Sequence, residues 1–233
     1  LARRMGPYDM SHRLQHSIED IKRMLLTLGD QAEEMVGIAV QAVDNRCTES
    51  AGRVRSAEDH FDRAEVNVEE ACLKAIALFQ PVAHDLRFLV AVMKINSDLE
   101  RIADLAVDIA GEACKLARTP LPATLPLNLS DEVTAVREML HTSLTALVKG
   151  DAELAQQVRS QDRQVDALHR GMYAQVEQAM LQRLAGVDTL VNLLNVSRHL
   201  ERIADHATNI AEDVIYLTRG NIVRHTRFQT DAA

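Results

Sequence analysis

Apolar residues recur every three to four positions over six long stretches of this chain. That spacing lays one face of an α-helix against a core. The stretches are 12–45, 48–79, 82–118, 130–149, 151–184 and 187–219. Blocks of β-branched and aromatic residues, which would announce strands, are few. The breaks are as informative as the stretches. Three of the five prolines fall in TPLPATLPLNLS, residues 119–130, which cannot be helical and reads as a linker. Pro81 marks a tight turn between the second and third stretches. Gly150 and Asp151 close the fourth and cap the fifth, and Gly186 and Gly220 bracket the sixth. Thr48 fits as an N-cap, Ser130 opens the fourth stretch, and Gly29 and Gly37 are tolerated weak points in the first.

Three stretches on each side of a proline linker suggest an internal duplication, and the residues support it. Val54-Arg55-Ser56 recurs as Val158-Arg159-Ser160, and Leu99–Ala110 matches Leu200–Ala211 at nine of twelve positions, including LERIAD in both copies. The offset is 104 in the second helix of each half and 101 in the third, so the intervening turn has lost three residues, where length is cheap. The expected fold is all-α, two tandem three-helix bundles. The expected limits are 12–118 for the first bundle, 119–129 for the linker, 130–220 for the second bundle and 221–233 for a tail.

The acids follow the same duplication. On the third helix of each half, Leu99, Ile102, Ala103 and Ala106, or Leu200, Ile203, Ala204 and Ala207, face the core. Glu100 and Asp104, or Glu201 and Asp205, flank them. Asp108 continues the first flank, and Asn209 stands at its counterpart. The second helices carry Glu58 and Asp62, continued by Glu65 and Glu69, and Asp162 and Asp166, with His169 where the offset puts Glu65. With Pro81 as the turn, Asp62 and Glu58 lie 19 and 23 residues before it, and Glu100 and Asp104 lie 19 and 23 after it. At about 1.5 Å per residue both pairs sit roughly 30 Å from the turn, level with each other. The second half matches within one residue about Leu184. Four carboxylates at one height repel unless something compensates them. Arg101 and Arg202 offer local pairing and an ordinary solvated face. A bound cation is the other answer, and the repetition of the acid set in two matched copies favours it. Oxygen ligands suit Mg, Mn, Ca or Fe, while Zn or Ni would want His169 or water as well.

Composition narrows the partners. Acidic residues number 34 against 26 lysines and arginines, a net charge of −8, and no basic face for nucleic acid is visible; the Arg219–Arg227 segment reads as a solvated end. Helix-forming residues dominate, aromatics are 3% and tryptophan is absent. Three cysteines without metal or disulfide spacing fit a reducing compartment. No apolar run is long enough to span a bilayer, and the first residues lack a signal-peptide core. A cytoplasmic protein is expected.

The repeated acid pairs, the two LERIAD copies and Gln80-Pro81-Val82-Ala83-His84-Asp85-Leu86-Arg87 together resemble the PhoU family of phosphate-signalling regulators, from about His12 to Phe228. The family's motif usually reads Glu-Arg-Ile-Gly-Asp; Ala103 and Ala204 replace the glycine here. The resemblance implies a cytoplasmic protein of two similar three-helix bundles that represses phosphate-starvation signalling and limits phosphate uptake. Its implied partners are the ATPase of the phosphate ABC transporter, the sensor histidine kinase and a second copy in a homodimer. It implies metal clusters, as some members bind, on Glu58, Asp62, Glu100, Asp104, Asp162, Asp166, Glu201 and Asp205; Asp108 and His169 are further candidates by their positions, and Fe, Mg, Mn, Zn or Ni are the candidate ions.

Two rival readings remain open. One is a helical adaptor that binds no metal. The other is a carboxylate-bridged di-metal enzyme. Glu138 and His141 have the Glu-x-x-His spacing of such sites, as Asp166 and His169 do with aspartate, yet Val133, Val136, Leu140, Leu144 and Leu147 define a core face from which Glu138 points away. No P-loop is present, Cys72 and Cys114 read as packing residues, and His84 and His199 read as surface residues. The expected class is a regulatory binding protein rather than an enzyme.

Overall fold

The computed structural model describes residues 7–119 and 127–220. The tail, and all of the linker but its ends, lie outside the described residues. Within them the chain forms six helices: α1 (Pro7–Asn45), α2 (Thr48–Phe79), α3 (Ala83–Leu116), α4 (Ser130–Lys149), α5 (Ala152–Leu181) and α6 (Val187–Arg219). None is long and apolar enough to cross a membrane.

The ends of these helices follow local chemistry, with a few departures from the pattern-based expectation. α1 begins at Pro7 rather than at residue 12, with the proline in its first turn, where its missing N–H costs nothing. The cap of α2 is Cys47 and not Thr48: its Sγ accepts from the Ser50 N–H at 3.5 Å. Asn128, not Ser130, supplies the oxygen at the start of α4, accepting from the Ser130 N–H at 2.9 Å. Asp151 caps α5 as expected, its Oδ1 accepting from the Glu153 and Leu154 N–H groups at 2.9 and 3.1 Å. Gly150 takes the left-handed conformation that ends α4 (φ 62°). α5 ends at Leu181, three residues before the expected limit, because Arg183 turns left-handed (φ 54°).

α1, α2 and α3 pack on one another, and so do α4, α5 and α6. The two bundles join chiefly through α3 against α6, with a lighter contact of α1 on α4. α2 and α5 touch only helices of their own half. The core runs continuously through both halves, from Leu25, Phe61, Leu89 and Ile102 to Met139, Leu200 and Ile210. In the α1–α4 contact, a Cβ at Gly29 would lie 2.8 Å from Leu144 Cδ2, so the glycine permits the close approach.

The α3–α6 seam is antiparallel and carries a pseudo-twofold. Lys94 Nζ meets Asp213 Oδ1 at 3.6 Å, and Asn195 Nδ2 donates to Glu112 Oε1 at 3.4 Å. Lys94 and Asn195 stand 101 positions apart, as do Glu112 and Asp213, so one contact is the duplicate of the other. Asp98 with Asn209 (3.2 Å) and His199 with Asp108 (3.8 Å) repeat the relation. The same register sets Ala103 opposite Ala204, both almost fully buried. That is why a small residue occupies the fifth position of LERIAD: the third helices cross there. His199, read from the sequence as a surface residue, is only 7% exposed because it lies in this seam. His84 is exposed as expected.

Candidate functional site

α2 and α3 bring the first acidic set to one seam. Glu58 lies close enough to Asp62 on its own helix, and to Asp104 and Asp108 across the seam, for burial and then those charges to raise its proton affinity. Burial, then Asp104, and more weakly Glu65, raise that of Glu100 against the opposing pull of Arg101. Glu65 is also raised by burial and by Glu69 and Asp62. Asn96, 1% exposed, fixes Glu65 by donating to its Oε1 at 2.7 Å and to its backbone carbonyl at 3.1 Å. Arg101 bridges the two acids of its own turn, 3.2 Å from Glu100 and 3.1 Å from Asp104.

α5 and α6 build the second set. Asp162 is raised by burial and by Asp166, while Thr208 Oγ1 donates to its Oδ1 at 3.2 Å and pulls the other way. Glu201 is raised by burial, then by Asp166 and Asp162. Packing around the carboxyl, then Glu201, Asp162 and Asp166, push Asp205 up to about 6. Asp205 is nonetheless exposed by surface area, so solvent screening works against that rise. Arg170 Nη1 stands 3.6 Å from Asp166.

Across the first seam the charges of Asp104 and Asp108 reach Glu58, and that of Glu65 reaches Glu100; across the second, Asp162 and Asp166 reach Glu201 and Asp205. These acids do not form a closed cage. Among the described residues no group of three or more His, Cys, Asp or Glu side chains is gathered tightly enough to hold a metal ion as it stands. The donor set still suits a hard cation, being all oxygen, of like charge and incompletely neutralised. His169 takes another direction: its Nδ1 lies 2.7 Å from Ser197 Oγ and 4.0 Å from Glu132 Oε1, and burial lowers its proton affinity. The pair His169–Ser197 is the duplicate of Glu65–Asn96. Glu138 is exposed, and His141 pairs with Glu33 of α1 at 3.2 Å, so neither contributes a ligand within the bundle.

Glu132 is the residue that sequence reasoning missed. It is 2% exposed, accepts from Ser197 Oγ at 2.9 Å, and leaves Oε2 without a partner. Burial, with Glu201 adding to it and the Ser197 hydrogen bond opposing it, pushes its pKa up to about 7. The signal was present, since Glu132 shares the helical phase of Val136, Met139 and Ser143, all buried. Its place in the first turn of α4, beside Asp131, is also where acids serve the helix dipole, which masks that signal.

The PhoU domain profile matches the chain twice, at residues 25–113 and 129–214. The chain is 33% identical to the phosphate-specific transport system accessory protein PhoU homolog of Pseudomonas aeruginosa, over 94% of this chain and 90% of that one. It is 30% identical to the phosphate-specific transport system accessory protein PhoU of Escherichia coli, over 93% and 89%. The crystal structure of PhoU from Pseudomonas aeruginosa superposes with a TM-score of 0.85 at 33% identity, covering 89% of this chain and 99% of that one. The regulatory protein PhoU of Streptococcus pneumoniae shares the fold, with a TM-score of 0.81 at 24% identity over 90% and 99%.

Proposed function

This chain belongs to the PhoU family, and on that premise we propose that it is an accessory regulator of a phosphate-specific transport system. It acts as a cytoplasmic binding protein, not as a catalyst. It restrains phosphate uptake and phosphate-starvation signalling by engaging the transporter's ATPase and a sensor histidine kinase, and it works as a homodimer. The observation that carries the reading is the match along nearly the whole chain, both halves included, to curated accessory proteins of that system. The limits of the two bundles, 12–118 and 130–220, belong to the same reading.

Divalent or trivalent metal is the second element of the proposal. Glu58, Asp62, Glu100 and Asp104 would hold it in the first half, and Asp162, Asp166, Glu201 and Asp205 in the second. Raised proton affinity on both faces supports this: burial is its first cause in each case, and neighbouring carboxylates add to it. A bound cation would offset those charges and tie α2 to α3 and α5 to α6. One observation favours the reading without metal: Arg101 already pairs with both Glu100 and Asp104. Dialysis against chelator, followed by melting with and without Mn, Fe, Zn, Ni or Mg, separates the two. An unchanged melt with every ion leaves the adaptor reading.

The regulatory role is tested by pull-down from cells grown at high and at low phosphate. Wild type is compared with a variant carrying Glu100→Ala, Asp104→Ala, Glu201→Ala and Asp205→Ala. Wild type should retrieve the transporter ATPase and the kinase; retrieval of neither sinks the assignment.

A further inference from the structure

A cavity of about 350 Å³ opens where the two bundles meet at one end, bounded by α1, α3, α4 and α6. Its charge runs against that of the molecule. Among the described residues Lys22, His84, Arg87 and Lys149 line it and no carboxylate does, in a chain with 34 acids and 26 lysines and arginines. Among the described residues neither Lys22 nor Lys149 is ion-paired. Arg87 is steadied by the Tyr216 ring, 5.6 Å from its guanidinium carbon, and no ion pair to a carboxylate is seen for it there. Asp85 stands 3.6 Å from the His84 ring but does not line the cavity.

The backbone adds to the same field. Val82 caps α3 without a side-chain hydrogen bond, so the first N–H groups of α3, beside His84 and Arg87, have no side-chain acceptor from that cap. The carbonyl end of α4 borders the cavity too, and Lys149 in its last turn offsets that partial negative charge. Beneath the cationic rim the wall is apolar, formed by Leu25, Phe88 and Leu217. The volume is within the range of small-molecule sites and well above that of a single tetrahedral oxyanion. A doubly charged oxyanion satisfies the rim, and an attached organic body satisfies the wall.

We propose that this cavity binds a phosphate dianion, either free or as the terminal group of a small organic molecule. Lys22 and Arg87 come from the first bundle and Lys149 from the second, so the ligand would bridge the two. The inference does not depend on metal at the acidic faces or on the identity of protein partners.

The test is calorimetric titration of the full chain with inorganic phosphate, with AMP, and with adenosine as the uncharged control. Wild type should bind phosphate or AMP saturably, with Kd on the order of 1 mM or tighter. The double variant Lys22→Glu with Lys149→Glu should lose at least about tenfold in affinity. AMP binding tighter than phosphate identifies the organic source; equal binding identifies the free ion; either supports the site. Adenosine binding as well as AMP, no saturable binding of either phosphate probe, or unaltered affinity in the double variant overturns it. Should the double variant fail to fold, Lys22→Gln with Lys149→Gln replaces it and must show the same direction of loss.

Discussion

Glu132 gives the sharpest quantitative test of the packing described above. The perturbation is Glu132→Gln, which keeps the shape and an oxygen to accept from Ser197 but cannot ionise. In the wild type the carboxyl titrates near 4.5 when unfolded and near 7 when folded. At about 1.4 kcal/mol per pH unit, the ionised form costs the folded state on the order of 3 kcal/mol. The sign follows from the raised value. The protonated group contributes its full stability below about pH 4.5, and that stability is lost as pH rises to 7. His169 works in the opposite direction, since its affinity is lowered and its neutral form is favoured as pH rises. Glu201 lies on the neighbouring helix and adds to the cost of the ionised form. The difference between variant and wild type reads Glu132 together with its coupling to Glu201 and His169, while the groups remote from it cancel. Thermal melts every half pH unit from 4.5 to 8 should coincide at the acid end and diverge upward. At pH 8 the variant should melt roughly 6–12 °C higher, at about 2–4 °C per kcal/mol for a chain of this size. Coincident melts at pH 8, or a variant that melts lower, would show that Glu132 is solvated or firmly paired when ionised, and the reasoning would fall.

Other outcomes follow from the same geometry. Asp205→Asn, in metal-free protein above pH 6, should raise the melting temperature by less than Glu132→Gln does, because the residue is open to solvent, and it should reduce any stabilisation by added Mn; a melt lowered in chelator would contradict the crowding of carboxylates there. Cys47 should react first with a thiol reagent at pH 8, its affinity lowered by hydrogen bonding to Ser50, while Cys72, buried and pushed up to about 11, should react only on unfolding. Phe61→Ala should cost about 3–5 kcal/mol in urea unfolding, as expected for an aromatic ring 1% exposed in the core. Ala103→Leu should cost about 1–3 kcal/mol by forcing the third helices apart where they cross; a neutral result would mean that α3 and α6 do not meet in this register.

The sequence by itself determined the helices, their duplication and the phase of the acid pairs. Helical phase is a local property, carried by apolar spacing and by breakers such as Pro81 and Gly150, and pattern alone reveals it. It also set the height of Glu58 and Asp62 against Glu100 and Asp104, because a short turn leaves two antiparallel neighbours little freedom. Tertiary structure decided which helix faces which. Nothing in the pattern of α3 says that its partner is α6, so the burial of His199, the matched contacts of Glu112 and Asp213, and the reason for Ala103 and Ala204 appear only on assembly. Three helices, α1, α3 and α4, must meet before Lys22, His84, Arg87 and Lys149 share one cavity, and α6 completes its wall. Glu132 marks the boundary between the two. Its phase was legible, but whether a first-turn acid reaches water or a neighbouring helix depends on where α5 and α6 lie, and that is settled by packing across the whole molecule.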